Sequence, residues 1–225
     1  MMLSFDNSQC ANPGGPIAST DSLHHPSVNS SLKRVTDITG SLVGLTFLIA
    51  ILVPLAILIK LDSPGPIFYS QVRYGLKGKP FKIWKFRSMV ANADALKATV
   101  PNQAQGIIFK NESDPRVTRI GKVLRKTSLD EFPQFLNVLK GDMSLVGTRP
   151  PTGDEVARYS DYHWRRLDVK PGLTGQWQVS GRSNVKDFEE IVKLDLHYQR
   201  FWSPWHDIKI IVKTFLVIFD NKGAY

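Results

Sequence analysis

Residues 38–59 read ITGSLVGLTFLIAILVPLAILI, a stretch without a single charge. As a helix it is ~33 Å long, enough for a hydrocarbon core of about 30 Å. Soluble cores seldom need so long an uncharged run, so a membrane-inserted helix is expected. Pro54 lies two-thirds of the way along, where it removes a helix hydrogen bond and pushes Val53 away from helical geometry. Lys33 and Arg34 precede the stretch, while Lys60, Arg73, Lys77 and Lys79 follow it. A straight span would leave positive charge on both faces of the membrane, against the bias of Lys and Arg toward the cytoplasm. A helix that enters, bends near Pro54 and returns keeps both flanks in the cytosol. The residues alone leave both geometries open.

Upstream, residues 1–30 are rich in Ser, Asn, Pro and Gly and show no apolar periodicity. They are expected to form a disordered tail, being unable to bury enough surface to offset their ordering entropy, and they lack the pattern of a signal peptide. Residues 31–61 are then the membrane-inserted helix and 62–225 a catalytic domain resting on the membrane.

Downstream, Ile67 to Val72 alternates as a strand does, Gly75 and Gly78 mark a turn, and Phe81 to Phe86 alternates again, which predicts a β-hairpin. Residues 89–99 have helical composition. Asp114-Pro115 has the form of a helix start, and further helices are expected over 128–139, 154–167 and 187–199, with an irregular stretch at 171–184. Near the C-terminus, Trp202 and Trp205 precede a run in which Lys209 and Lys213 share one face. That pattern suits a helix lying in the membrane interface; a helix packed on the core is the alternative. The fold class is α+β, mainly helical: a small catalytic domain with a short β-hairpin, the N-terminal membrane helix and amphipathic helices. No strand–helix alternation suggests a Rossmann sheet.

The chemistry concentrates around Thr127-Ser-Leu-Asp130-Glu131-Phe-Pro. Adjacent carboxylates at a helix start stay ionised beside the helix dipole; one can attack phosphorus and the other hold Mg2+. Ser128-x-x-Glu131 also fits a capping box, which needs no chemistry. The 29 Lys and Arg against 20 Asp and Glu, a net charge of +9, call for an anionic partner. Residues 73–87 carry six basic side chains and no acid, including Lys85 and Arg87, and residues 116–126 carry five more, including Arg116 and Arg125. Arg149 adds another in a Gly- and Pro-rich loop. Arginines suit bidentate contacts to phosphate. The lone Cys10 and the scattered histidines offer no Cys- or His-based metal spacing, so a metal would be a hard cation on oxygen. The absence of Asp-x-Asp disfavours metal-dependent glycosyltransferases and haloacid-type phosphatases. A basic anchor for lipid or nucleic acid would need no paired carboxylate framed by arginines.

These residues resemble a known family. KRVTD before the apolar run, SPGPIFYSQVRYGLKGKPFKIWKFRSM, DPRVTRIGKVLRKTSLDEFPQFLNVLKGDMSLVGTRP and KPGLTGQWQVSGRSN, in that order over residues 32–225, are similar to the bacterial sugar transferases, the monotopic polyprenyl-phosphate hexose-1-phosphate transferases. The resemblance implies a re-entrant helix bent at Pro54 and a site at the cytoplasmic face of the bacterial inner membrane. It also implies transfer of a hexose-1-phosphate from a UDP-hexose to undecaprenyl phosphate, initiating exopolysaccharide or O-antigen synthesis. Asp130 matches the nucleophile that expels UMP, and Glu131 the dyad partner associated with Mg2+. Arg125 and Arg149 fall on phosphate-binding positions, Lys85 and Arg87 on the K-F-R segment, and Arg182 on a contact to the nucleotide. Membrane lipid is an implied partner and nucleic acid is not; a homodimer is compatible with the family. Two departures stand out: the usual Pro-Arg-Pro reads Thr148-Arg149-Pro150, and the usual Ser-Pro of the membrane helix reads Val53-Pro54. Larger relatives carry upstream membrane helices and a regulatory domain, which a 30-residue tail is not expected to hold.

Overall fold

The computed structural model describes residues 24–181, 185 and 187–219. A short helix α1 (Pro26–Asn29) leads into α2 (Ser31–Asp62), whose Ser30 cap accepts from the Lys33 N–H. The tail expected over residues 1–30 thus gives way to helix by Pro26. Helix α2 runs unbroken through Pro54.

Both ends of α2 are tied to the same body. At its start, Lys33 Nζ reaches Asp207 at 2.6 Å and the Val146 carbonyl at 2.9 Å. Arg34 donates to the carbonyls of Val138 and Leu139, and the Asp37 carboxylate accepts from Ser144 and the Leu145 N–H. At its end, Asp62 accepts from the Ile120 N–H at 2.8 Å. Gly40 and Gly44 allow the close approach between, since a Cβ there would meet Leu145 or Phe135 at 2.5 Å. The remaining surface is apolar and open: Leu42, Val43, Phe47, Ile49, Val53, Ile57 and Leu58 are all exposed. The helix is long and apolar enough to cross a membrane, and only 17% of its most apolar window is buried, unlike a soluble core helix.

The hairpin forms as expected. Strands β1 (Phe68–Tyr74) and β2 (Pro80–Phe86) pair antiparallel, with Tyr69 opposite Lys85 and Arg73 opposite Phe81. Lys77 and Gly78 take positive φ (54° and 74°) to turn the chain. Helix α3 (Arg119–Lys126) follows, then a 3-10 helix Leu129–Gln134 that passes into α4 (Phe135–Lys140). Strand β3 (Ser144–Val146) pairs in parallel with β4 (Gly172–Thr174), beyond α5 (Gly153–Val156) and α6 (Asp161–Trp164). The chain closes through α7 (Gln176–Val179), α8 (Phe188–Arg200) and α9 (Pro204–Phe219). Phe86 and Leu124 join Leu48 and Ile59 of α2 in one apolar cluster, so the long helix shares its core with the hairpin.

Four expectations are corrected. Residues 91–96 are turns and only Lys97–Thr99 is helical, a single 3-10 turn, because Arg116 takes the Ala93 carbonyl at 3.0 Å and Met89 bridges Val117. Asp114 starts no helix: its carboxylate grips the Arg116 guanidinium and N–H, and Thr118 caps α3 instead. The helix expected over 154–167 breaks into α5, α6 and a 3-10 turn, since Ser160 restarts the chain with its N–H on His163 Nδ1. The irregular stretch from 171 contains β4 and α7.

The Asp207 carboxylate also accepts from Tyr198 and Trp202, so removing it leaves Lys33 buried without its ion-pair partner. Asp207→Ala should lower unfolding stability by about 3–5 kcal/mol, measured by denaturant titration of the detergent-solubilised protein; an unchanged midpoint would refute this.

Candidate active site

Side chains of an antiparallel pair alternate between faces, and residues directly opposite share one. Tyr69, Gln71 and Arg73 therefore share a face with Lys85, Ile83 and Phe81. That face forms one wall of a cleft of ≈ 610 Å³, which the segment after β2 and the loop after β3 enclose. Asp130 and Glu131 line it.

The local backbone explains how the dyad gets there. Helix α3 ends at Lys126, and Ser128 takes left-handed geometry at φ 57°. That corner starts the 3-10 helix, whose first turn carries Asp130 and Glu131. No side-chain hydrogen bond from Ser128 caps the helix, so the capping-box alternative falls away. Pro133 favours the tight 3-10 turn, lacking the N–H that an α-helix would use. Asp130 is 6% exposed.

Of the residues expected in the site, Lys85, Arg87, Arg116, Arg125, Asp130, Glu131 and Arg149 all line this cleft; Arg182 lies outside the described residues. Their donors differ in use. Lys85 Nζ holds Glu131 Oε1 at 2.8 Å, and Arg125 Nε donates to Ser88 Oγ at 2.9 Å. Arg149 makes a two-pronged contact with Glu155, at 2.9 and 3.1 Å. Arg87 is occupied elsewhere, its fork donating to the carbonyls of Ile59, Ser63 and Pro64 at the end of α2. Arg116 is likewise occupied by Asp114 and the Ala93 carbonyl. Both have the position expected of a substrate contact, and structural partners take the Arg116 donors and both terminal nitrogens of Arg87.

Two features of the site are not legible in the sequence. Arg73 stands there only in a basic run, whereas strand parity places it on the Lys85 face. Burial and then the nearby charge of Arg149 push its pKa down to about 10, so it remains charged near neutrality beside a like charge. Such a pair favours an anion that relieves the repulsion. Beneath the Arg149 loop lies a pair no motif announces: Arg166, fully buried, donates to Asp195 at 2.6 Å and to the Arg149 carbonyl. Burial opposes ionisation of Glu155, yet the Arg149 guanidinium outweighs it and holds that carboxyl below its ordinary value.

The donor set suits magnesium. Asp130 and Glu131 supply adjacent hard oxygens, and among the described residues no group of three or more His, Cys, Asp or Glu forms a complete cage. Magnesium characteristically takes one or two carboxylates and completes its shell with phosphate and water.

The profile of the family described as bacterial sugar transferase matches residues 28–221. Over 194 residues the chain is 53% identical to the galactosyl transferase CpsE of Streptococcus agalactiae serotype III, covering 85% of this chain and 43% of that protein. It is 42% identical to the UDP-glucose:undecaprenyl-phosphate glucose-1-phosphate transferase of Escherichia coli K12 (88% and 42% covered). Identity to the undecaprenyl-phosphate galactose phosphotransferase of Salmonella typhimurium is 44% (86% and 42%). The chain thus spans about two-fifths of the length of these curated relatives.

A non-glycine residue held left-handed costs about 1–2 kcal/mol, and a β-branched one more. Ser128→Gly should therefore keep unfolding stability within about 1 kcal/mol of the parent, and Ser128→Val should lose about 1–3 kcal/mol. Equal midpoints for the two variants in a denaturant titration would show that this corner is not constrained.

Proposed function

The chain belongs to the bacterial sugar transferase family, and on that premise we propose that it transfers a hexose-1-phosphate from a UDP-hexose to undecaprenyl phosphate. The observation that carries this reading is the acidic pair Asp130 and Glu131 in a cleft whose other charged walls include Arg73, Lys85, Arg125 and Arg149. Relatives named for glucose-1-phosphate and galactose phosphate transfer to undecaprenyl phosphate support the substrate class.

In the proposed reaction an Asp130 carboxylate oxygen attacks the phosphorus that carries the hexose. The bond from that phosphorus to the bridging oxygen breaks, and UMP leaves with the electron pair. An oxygen of undecaprenyl phosphate then attacks the same phosphorus. This frees the Asp130 carboxylate and yields undecaprenyl-diphosphate-hexose. Arg125 stands within electrostatic reach of Asp130, suited to steadying charge on the phosphoryl oxygens. Arg149 and Arg73 are suited to the diphosphate, where preset cations are worth most in a site screened from water. Glu131, with Asp130 beside it, would hold Mg2+, which when bound neutralises charge on the diphosphate. Lys85 already fills the cation's place on Glu131, keeping that carboxylate aimed into the cleft.

The acceptor is a lipid, and the apolar surfaces support a monotopic placement on the cytoplasmic face of the inner membrane. Trp205, Ile208, Val212, Phe215 and Leu216 of α9 are exposed, with Lys209 and Lys213 nearby on the same helix. The grip of one body on both ends of α2 supports a re-entrant course in place of a span. The division into a tail, a membrane helix and a catalytic domain from residue 62 belongs to this same reading.

The test is nucleotide release from UDP-glucose and UDP-galactose by solubilised protein with undecaprenyl phosphate and Mg2+. UMP is the expected product, lost on chelation, and Asp130→Asn should abolish turnover with folding and membrane association intact. Release of UDP would mean direct glycosyl transfer and would remove Asp130 as nucleophile. Reporters fused at residue 30 and at Tyr225 should both report the cytosol; opposite sides would make α2 a true span.

A further inference from the structure

The acids lining the cleft are not equivalent. Glu131, Asp154 and Glu155 each hold a cation, Lys85, Lys97 and Arg149 respectively, at 2.8–2.9 Å, and Asp130 is the proposed nucleophile. Asp94 has no Lys or Arg at ion-pair distance among the described residues. Its side-chain contact is Tyr69, whose hydroxyl donates to Oδ1 at 3.5 Å, well beyond the ~2.7–2.8 Å of a settled O–H···O bond. Two oxygens so spaced keep capacity for a ligand hydroxyl that bridges them from the side. A bare carboxylate repels phosphate, so its use in this cationic cleft is to accept from a ligand's hydroxyl groups.

Position says which hydroxyls. Tyr69 lies directly opposite Lys85, with their Cα atoms about 4.5–5.5 Å apart as such pairs are, and Lys85 reaches Glu131 at 2.8 Å. The Tyr69–Asp94 pair therefore stands one side chain from the dyad. The hexose is bonded to the phosphorus under attack, whereas the ribose lies beyond the second phosphorus. Asp94 is held there by its own segment: Arg116, clamped by Asp114, takes the carbonyl of Ala93, and the Lys97 N–H takes that of Asp94. Burial, then the charge of Asp94, raises the Tyr69 phenol above its ordinary value, which keeps it a neutral donor.

We propose that Asp94 and Tyr69 bind hydroxyls of the transferred hexose and thereby set which hexose is accepted, an inference that rests on the reaction assigned above.

The test compares Asp94→Asn and Tyr69→Phe with the parent on three substrates: UDP-glucose, its C4 epimer UDP-galactose, and the 2′-deoxyribose analogue of UDP-glucose. Either substitution should lower kcat/KM for the preferred hexose, Asp94→Asn by about 10- to 100-fold for a charge-assisted hydrogen bond and Tyr69→Phe by about 2- to 10-fold for a neutral one. It should also compress or reverse the epimer preference and leave the 2′-deoxy penalty unchanged. An equal fall for both hexoses, an unchanged kcat/KM, or a vanished 2′-deoxy penalty, which would place the ribose there, would each overturn the assignment. Calorimetric binding of the UDP-hexoses to Asp130→Asn protein separates the two readings. Absence of binding in that background would overturn the proposed reaction and this inference with it. Binding that Tyr69→Phe and Asp94→Asn leave unaltered would overturn the inference alone. Should Asp94→Asn fail to fold, Tyr69→Phe, which keeps the ring, decides.

Discussion

One guanidinium closes the long apolar helix onto the rest of the molecule. The last carbonyls of any helix lack intrahelical partners and carry the negative end of its dipole. At the end of α2 the Arg87 fork meets the Ile59 carbonyl of its last turn, which the Ser63 N–H also reaches, and the carbonyls of Ser63 and Pro64 just beyond it. Gly65, at φ 125°, leaves the space for it: a Cβ there would sit 2.1 Å from an Arg87 nitrogen. Because Arg87 directly follows β2, this contact joins the apolar helix to the hairpin that forms the wall of the cleft. Its neighbour Ser88 then takes Arg125, so an apolar segment suited to lipid is three side chains from the acidic pair.

A second line runs parallel to the first. Asp62 caps the opening turn of α3 through the Ile120 N–H, and that short helix delivers Arg125 and the left-handed corner at Ser128. Both lines converge on the same few residues from the same helix end. On the proposed reaction, the site that meets a lipid phosphate is built directly on the segment suited to lipid.

The cleft separates its charges by task. Cations cluster on the face shared by Arg73 and Lys85 and on the Arg149 loop, while Glu131, Asp154 and Glu155 are each matched to a cation. Matching matters because an uncompensated carboxylate would oppose a diphosphate ligand. The Arg166–Asp195 pair below serves the loop and not the ligand: fully buried, it braces the Arg149 backbone, and such pairs are retained more for geometry than for net stability.

What the sequence by itself determined is everything that depends on near neighbours. The uncharged run at 38–59 specified a long apolar helix, alternation at 67–72 and 81–86 specified the hairpin, and Asp130-Glu131 stood out among long cation runs. Periodicity and charge are local properties, readable within a turn or two of chain. Tertiary structure alone decided which arginines the protein itself engages: Arg87 and Arg116 look identical to Arg125 in a list of charges, yet distant carbonyls bind both, joined at Arg116 by the nearby Asp114. It also decided that residues 91–96 are turns, with helix reduced to the 3-10 turn Lys97–Thr99, because a guanidinium from Arg116 takes the Ala93 carbonyl that a longer helix would have used. The parallel pairing of β3 with β4, each of three residues, and the union of Arg166 with Asp195 were equally invisible. Such contacts span 20 or more residues, and their energy exists only once the chain has closed the loop between them.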